Sequence, residues 1–344
     1  MKSIVRFWLT GVFACLYSLL AAAQSGQVFS QQPAVQAFIR DMHERHGFDV
    51  EHLSQQFSSI RPNLVVLRAI RPPAVPELQR SWLRYRQRFV TSQRIAGGLR
   101  FWQRNETTLQ RAEQFYGVPT AVIVAIIGVE TEYGQNMGSF GVMEALASLA
   151  FNYPPRADFF RDELEQFLLL ARENGFNPLS IKGSYAGAIG IPQFMPGSLR
   201  RFAVDFDGDD RIDLRNSTVD AIGSVARFLQ QHGWQKGAPV AVPAQVATDP
   251  AAELALGIKP ALSVAELATR GIIAAHADSG RLAALIDLVS PEAPTEYWLG
   301  FDNFYVITRY NRSSFYAMSV FQLAEALREQ RELASFTARK GSVE

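Results

Sequence analysis

The 344-residue chain has a single cysteine, Cys15. An intrachain disulfide framework is therefore excluded, and stability has to come from burial. Charge of one sign is also missing: 34 Lys and Arg face 33 Asp and Glu, for a net charge of +1. A nucleic-acid-binding surface would need a strong basic bias, so that class finds no support. The five histidines never fall into an H-E-x-x-H spacing, which argues against a zinc peptidase. The Gly-rich stretch at 183–198 lacks a Gly-Lys-Ser/Thr ending and is not a phosphate cradle. Ser184 is not the centre of a G-x-S-x-G elbow, which weakens a serine-hydrolase reading. There is no internal repeat and no low-complexity tract.

What is present begins with an export signal. Lys2 and Arg6 give a positive start, Phe7 to Leu20 is almost wholly apolar, and Ala21-Ala22-Ala23 fits a small-residue cleavage site, so residues 1–23 read as a signal peptide. Gln24 would then open the mature chain in the periplasm. The apolar run is short for a membrane span. An uncleaved anchor and a lipidated Cys15 are the alternatives to an ordinary cleaved signal, and membrane attachment stays open between them.

Beyond the signal the length suggests more than one domain. Residues 24–34 are polar and are expected to be disordered. From Pro33 to about Tyr116 the pattern is helical, interrupted by a proline-rich connector at Arg71–Pro76, and Trp82, Tyr85 and Phe89 recur at helical spacing. Pro119 is expected at the first turn of a helix whose residues Ala121 to Val129 are apolar on all sides, which marks a core helix. Further helices are expected at 158–174, 219–232 and 313–335. After Gly237 the composition changes, and 239–243, 297–301 and 303–307 read as strands. Ile272-Ile273 and 282–289 fit either strands or short helices.

Glu130 continues the apolar stripe of Ile123, Ile126 and Ile127. A carboxyl group there is poorly hydrated, which disfavours its anion and raises its pKa. A glycosidase needs such a group to protonate a leaving oxygen near neutral pH. The same pattern also fits a glutamate satisfied by a structural partner or reaching solvent at the helix end. Glu132, two residues on, points elsewhere and is expected to be exposed.

Gly128-Val129-Glu130-Thr131-Glu132-Tyr133-Gly134 resembles the catalytic signature of the lytic murein transglycosylase B family. The resemblance continues through Phe151-Asn152-Tyr153-Pro154, through KGSYAGAIGIPQFMPGS at 182–198 and through TRYNRSSFYAMSV at 308–320. It implies a mainly α (α+β) fold: a lysozyme-like helical core, an N-terminal helical domain and a small β-containing insert. The corresponding division is 24–115 for the N-terminal helical domain, 116–234 for the core, 235–302 for the insert and 303–344 for the return to the core. The resemblance implies Glu130 as acid/base, with peptidoglycan glycan strands as substrate. It implies sugar contacts from Ser184, Gln193, Tyr310, Asn311 and Tyr316, and from Tyr85 by spacing. Phe228 stands where the family often has a cleft tyrosine, so ring stacking survives there and a hydroxyl contact does not. Association with other cell-wall enzymes is left open.

Asp205-Phe206-Asp207-Gly208-Asp209 places three carboxylates at alternate positions, as an EF-hand loop does for its first three ligands. The match is imperfect, because Asp210 stands at the sixth position, where Gly is usual, and Asn216 at the twelfth. The family resemblance implies a structural Ca²⁺ held by Asp205, Asp207, Asp209, the Arg211 backbone carbonyl and Asp220, and no cofactor for the chemistry itself. Two rival readings remain: a hydrolytic muramidase on the same fold, and a noncatalytic, calcium-dependent wall-binding scaffold.

Overall fold

The computed structural model describes residues 28–72 and 81–341. The export segment and most of the proline-rich connector lie outside the described residues. The chain divides into two compact units. The first takes in 28–71, 138–189 and 194–200, and the second 72–137, 190–193 and the chain from 201 onward.

Helices α1 (Pro33–His46), α2 (Val50–Ser58) and α3 (Leu64–Ala69) belong to the first unit. Asp49 and Asn63 cap α2 and α3 by accepting backbone N–H groups of the first turn. The expectation of disorder at 24–34 is corrected from residue 28 onward. Phe29 sits in a 3-10 turn, is fully buried, and packs its ring 6.2 Å from Phe151. Phe38 and Phe57 meet the same ring edge-on. A polar segment with one aromatic anchor looks unstructured until its distant partner is known.

The second unit contains α4 (Trp82–Phe89), α5 (Ser92–Arg104), α6 (Glu106–Tyr116) and α7 (Thr120–Thr131). In α7 every residue from Thr120 to Val129 is buried, as its uniform apolarity requires. Pro119 is not inside the first turn but one residue before it, at the N-cap, where its carbonyl accepts the Val122 N–H at 2.9 Å. A proline has no N–H to donate at either place, so both positions tolerate it and the pattern cannot separate them.

The first unit resumes with β1 (Phe140–Gly141), α8 (Val142–Asn152), α9 (Ala157–Glu173) and β2 (Lys182–Gly183). The two strands pair antiparallel, Phe140 opposite Gly183. Any Cβ at Gly183 would lie 2.2 Å from the Ala188 carbonyl oxygen, so this turn admits only glycine. Helix α10 (Pro196–Phe202) follows, and α11 (Thr218–Gln231) returns to the second unit.

A five-stranded antiparallel sheet then forms in the order β4-β6-β7-β3-β5. Its strands are β3 (Ala241–Val246), β4 (Leu262–Ser263), β5 (Ile272–Ile273), β6 (Leu282–Ser290) and β7 (Ala293–Gly300), with α12 (Ala251–Leu254) and α13 (Val264–Thr269) between them. The open choice at 272–273 and 282–289 thus resolves to strand. Val264, Leu267, Ile272, Leu285 and Leu299 form the sheet's own core.

The strand expected at 303–307 is instead helix α14 (Asp302–Thr308). Its run is buried on nearly every side, and a short all-apolar run carries no period to tell helix from strand. Tertiary bonds decide: the fully buried Asn303 side chain accepts the Gln235 N–H and donates to the carbonyls of Gln235 and Ala238. The long helix α15 (Ser314–Gly341) closes the described chain. Among the described residues no single helix is long and apolar enough to cross a membrane.

Candidate active site

Glu130 is the penultimate residue of α7. Ile123, Ile126 and Ile127 beneath it are fully buried, while Glu130 keeps a partial opening to solvent. Burial pushes its carboxyl from the ordinary 4.5 to about 7, against the pull of a hydrogen bond from Tyr316. Tyr316 Oη donates to Glu130 Oε1 at 2.6 Å. A carboxyl poised near neutrality can give a proton and, once ionised, take one back.

Three tyrosines surround this group in the electrostatic sense. Tyr316 is 2% exposed, and burial together with the Glu130 charge holds its phenol well above its usual pKa. Tyr310 is raised by the same two causes in the same order. Its hydroxyl donates to the Pro192 carbonyl at 2.5 Å, and its ring lies nearly parallel to that of Tyr316, 6.3 Å away. On α4, Tyr85 is pushed up to about 12 by burial and by Glu130, with Arg88 opposing. All three phenols therefore keep their protons at neutral pH.

Phe228 is buried, with its ring 4.9 Å from Tyr310, 4.1 Å from His232 and 5.1 Å from Phe202. It packs behind Tyr310. Gln193 takes a left-handed conformation with φ +52°, and its amide donates to the carbonyls of Met137 and Gly190 at 3.1 and 2.8 Å. Asn311 is exposed in the turn after Tyr310. Ser184 belongs to the first unit, where its hydroxyl accepts the Ala188 N–H at 3.0 Å and shapes its own turn.

The end of α7 depends on residues that sequence reasoning missed. Glu132, expected to be exposed, is half-exposed and ion-paired. It caps α7 at φ +50° and meets Arg94 Nη2 at 2.6 Å. Arg94 also donates to the Gly128 carbonyl and, at 3.2 Å, to that of Arg88. The Tyr133 hydroxyl donates to the Arg94 carbonyl at 2.7 Å, and Thr131 Oγ1 to that of Ile191 at 2.8 Å. Of these acceptors only the Gly128 carbonyl belongs to α7, and it also accepts the Glu132 N–H at 3.1 Å. No local signal marks Arg94 as a partner of α7, because Gly128 and Glu132 lie more than thirty residues further along the chain.

The acidic loop brings one oxygen each of Asp205, Asp207 and Asp209 within 4.8 Å of one another. Burial alone would raise the Asp205 pKa, but N–H groups of Gly208, Asp210 and Asp209 hold it below the usual value. Asp210 adopts φ +64°, the conformation for which glycine is usual at that position. The N–H of Arg211 bonds Asp209 at 2.9 Å. Asp220 is 1% exposed and is not part of the three-carboxylate cluster. Its two oxygens accept the Phe206 and Asp213 N–H groups at 2.8 Å each, so it ties the loop to α11. An all-oxygen donor set of this kind suits a hard cation such as Ca²⁺.

Comparison with known proteins gives consistent matches. The family described as the transglycosylase SLT domain matches residues 30–325. Membrane-bound lytic murein transglycosylase B of Escherichia coli K12 is 44% identical over 313 residues, spanning 88% of this chain and 85% of that protein. The crystal structure of soluble lytic transglycosylase SltB1 from Pseudomonas aeruginosa superposes with a TM-score of 0.81 at 46% identity, covering 87% of this chain and all of that one. The Escherichia coli lytic transglycosylase Slt35 in complex with calcium gives 0.78 at 42% identity, covering 90% of this chain and 96% of that one.

Proposed function

The chain belongs to the transglycosylase SLT family and is a lytic murein transglycosylase, and from that premise we propose that Glu130 alone serves as its acid and then its base. The observation that carries this reading is a partly open carboxyl, raised to about 7, that accepts a hydrogen bond from a buried tyrosine.

In the first step the Glu130 carboxyl gives its proton to the oxygen joining N-acetylmuramic acid to N-acetylglucosamine, and the bond from that oxygen to C1 breaks. The carbonyl of the muramic acid's own 2-acetamido group bonds to C1, in the role a second carboxylate plays in ordinary glycosidases. In the second step the Glu130 carboxylate takes the proton of the C6 hydroxyl. O6 attacks C1, the acetamido oxygen leaves, and a 1,6-anhydro sugar forms without water. Glu130 ends protonated, ready for the next turnover. The Tyr316 hydroxyl steadies the ionised carboxylate between the steps.

Tyr85, Tyr310 and Tyr316 are assigned to sugar binding around Glu130, with Phe228 supporting the Tyr310 ring from behind. Gln193 and Asn311 are assigned to hydrogen bonds with the glycan, and the role of Ser184 rests on the family resemblance. Asp205, Asp207 and Asp209, with the Arg211 carbonyl, are assigned to a structural Ca²⁺, and Asp220 to closing that loop. Residues 1–23 are assigned to export into the periplasm.

The test is the mass of products released from purified peptidoglycan. Anhydromuramic ends are expected from the wild type, and Glu130→Gln should release essentially none while still binding glycan. Products one water heavier would establish the hydrolytic muramidase instead. Undiminished cleavage by Glu130→Gln would overturn the assignment.

A further inference from the structure

Tyr85 stands on α4, a helix of only eight residues. So short a helix is not stable on propensity alone, and its first-turn N–H groups need outside partners. Ser81 Oγ accepts the Arg84 N–H at 3.2 Å. Further partners for this end of α4 come from the turn between β6 and β7, some two hundred residues later. Ser290 Oγ accepts the Leu83 N–H at 3.1 Å. Glu292 accepts the Ser81 hydroxyl at 2.6 Å and meets Arg84 Nε at 3.2 Å.

The hairpin is shaped for this contact. The register of β6 on β7 shifts between Leu288 and Ser290, and such a bulge re-aims the side chain beside it. Val289 is left 38% exposed while Ser290 is 5% exposed. Ser81, which the hairpin holds, and its neighbour Trp82 are 2% and 0% exposed. The rings of Trp82 and Tyr85 both meet Phe315, at 5.5 and 5.7 Å, and Phe315 immediately precedes the tyrosine that bonds Glu130.

We infer that the β6–β7 turn is a positioning element for the active site: Ser290 caps α4, Glu292 ties down Ser81 and Arg84 at the same end, and together they hold Tyr85 beside Glu130. The sheet then has a role in glycan binding without touching glycan. This rests on the assignment of Tyr85 to sugar binding.

The test is a double-mutant cycle on binding, run in the Glu130→Gln background so that turnover plays no part. The probe is a soluble GlcNAc–MurNAc tetrasaccharide, and the readout is its Kd by calorimetry. Losing a helix cap should weaken binding by about fivefold in Ser290→Ala/Glu292→Ala. Tyr85→Ala should weaken it at least as much, and adding the two hairpin changes to Tyr85→Ala should cost nothing more. Ser290→Thr, which keeps a hydroxyl, should bind like the parent. Should the double variant fail to fold, Ser290→Ala and Ser290→Thr alone carry the comparison. An unchanged Kd in the hairpin variants overturns the inference, and so does a loss that adds in full to that of Tyr85→Ala. The product mass from the wild-type enzyme tests the acid/base reading separately.

Discussion

Replacing Glu130 by Gln is expected to stabilise the folded protein, by an amount that grows with pH. The carboxyl has an ordinary value of 4.5 and stands at about 7 in the fold because burial disfavours its anion. Between those limits the native protein holds the proton more tightly than the unfolded chain does. Stability from this group is therefore greatest below about pH 4.5 and falls as pH rises towards 7, where the loss becomes complete. At about 1.4 kcal/mol per pKa unit the difference corresponds to at most about 3.5 kcal/mol. The partial opening of Glu130 to solvent reduces the expected cost to about 1–2 kcal/mol. Glutamine has nearly the same shape and never ionises, and its carbonyl can still accept the Tyr316 hydroxyl, so packing and hydrogen bonding are retained. Urea unfolding followed by tryptophan fluorescence, at about pH 4 and about pH 8, reads the difference directly. The two proteins should nearly coincide in acid and separate by about 1–2 kcal/mol in base. A separation independent of pH, or a variant less stable than wild type at the higher pH, refutes the burial argument.

Tyr316→Phe removes the donor that favours the Glu130 anion. Hydrogen bonds to charged groups contribute about 1.5–3 kcal/mol, so the alkaline limb of the pH profile of kcat/KM should move up by about one unit, and a limb that stays or moves down rejects the role of Tyr316. Gly128→Ala would place a Cβ 2.6 Å from the Tyr133 hydroxyl, whose ring is also hemmed in by Gly98. Overpacking of this kind should cost about 1–3 kcal/mol, and an unchanged unfolding midpoint would show that the ring can move aside. Calcium should raise the thermal midpoint of the wild type, and Asp207→Asn should lose most of that response. A wild-type midpoint indifferent to calcium rejects the loop as a cation site.

Helix α7 and its carboxyl were legible in the sequence because each rests on a local property. An unbroken apolar run buries a helix on all sides, and a glutamate continuing its stripe is desolvated wherever the helix packs. The strand readings at 239–243 and 297–301 rest on local alternation too, and each overlaps part of an observed strand, β3 and β7. The resemblance supplied Tyr310 and Tyr316 as candidates, but not the hydrogen bond from Tyr316 to Glu130 or the near-parallel rings. Those depend on α15 and α7 meeting across some 186 residues of sequence.

Tertiary structure alone decided the rest. It ordered the chain from Phe29 through one buried ring, and it turned 302–308 into a helix around the hydrogen bonds of Asn303. It also assigned Glu132 to Arg94, and Ser290 to the helix that carries Tyr85. In each case the deciding partner is remote in sequence. Periodicity and propensity report what a segment can bury, whereas these outcomes depend on which buried polar groups find hydrogen-bond partners once distant segments have packed.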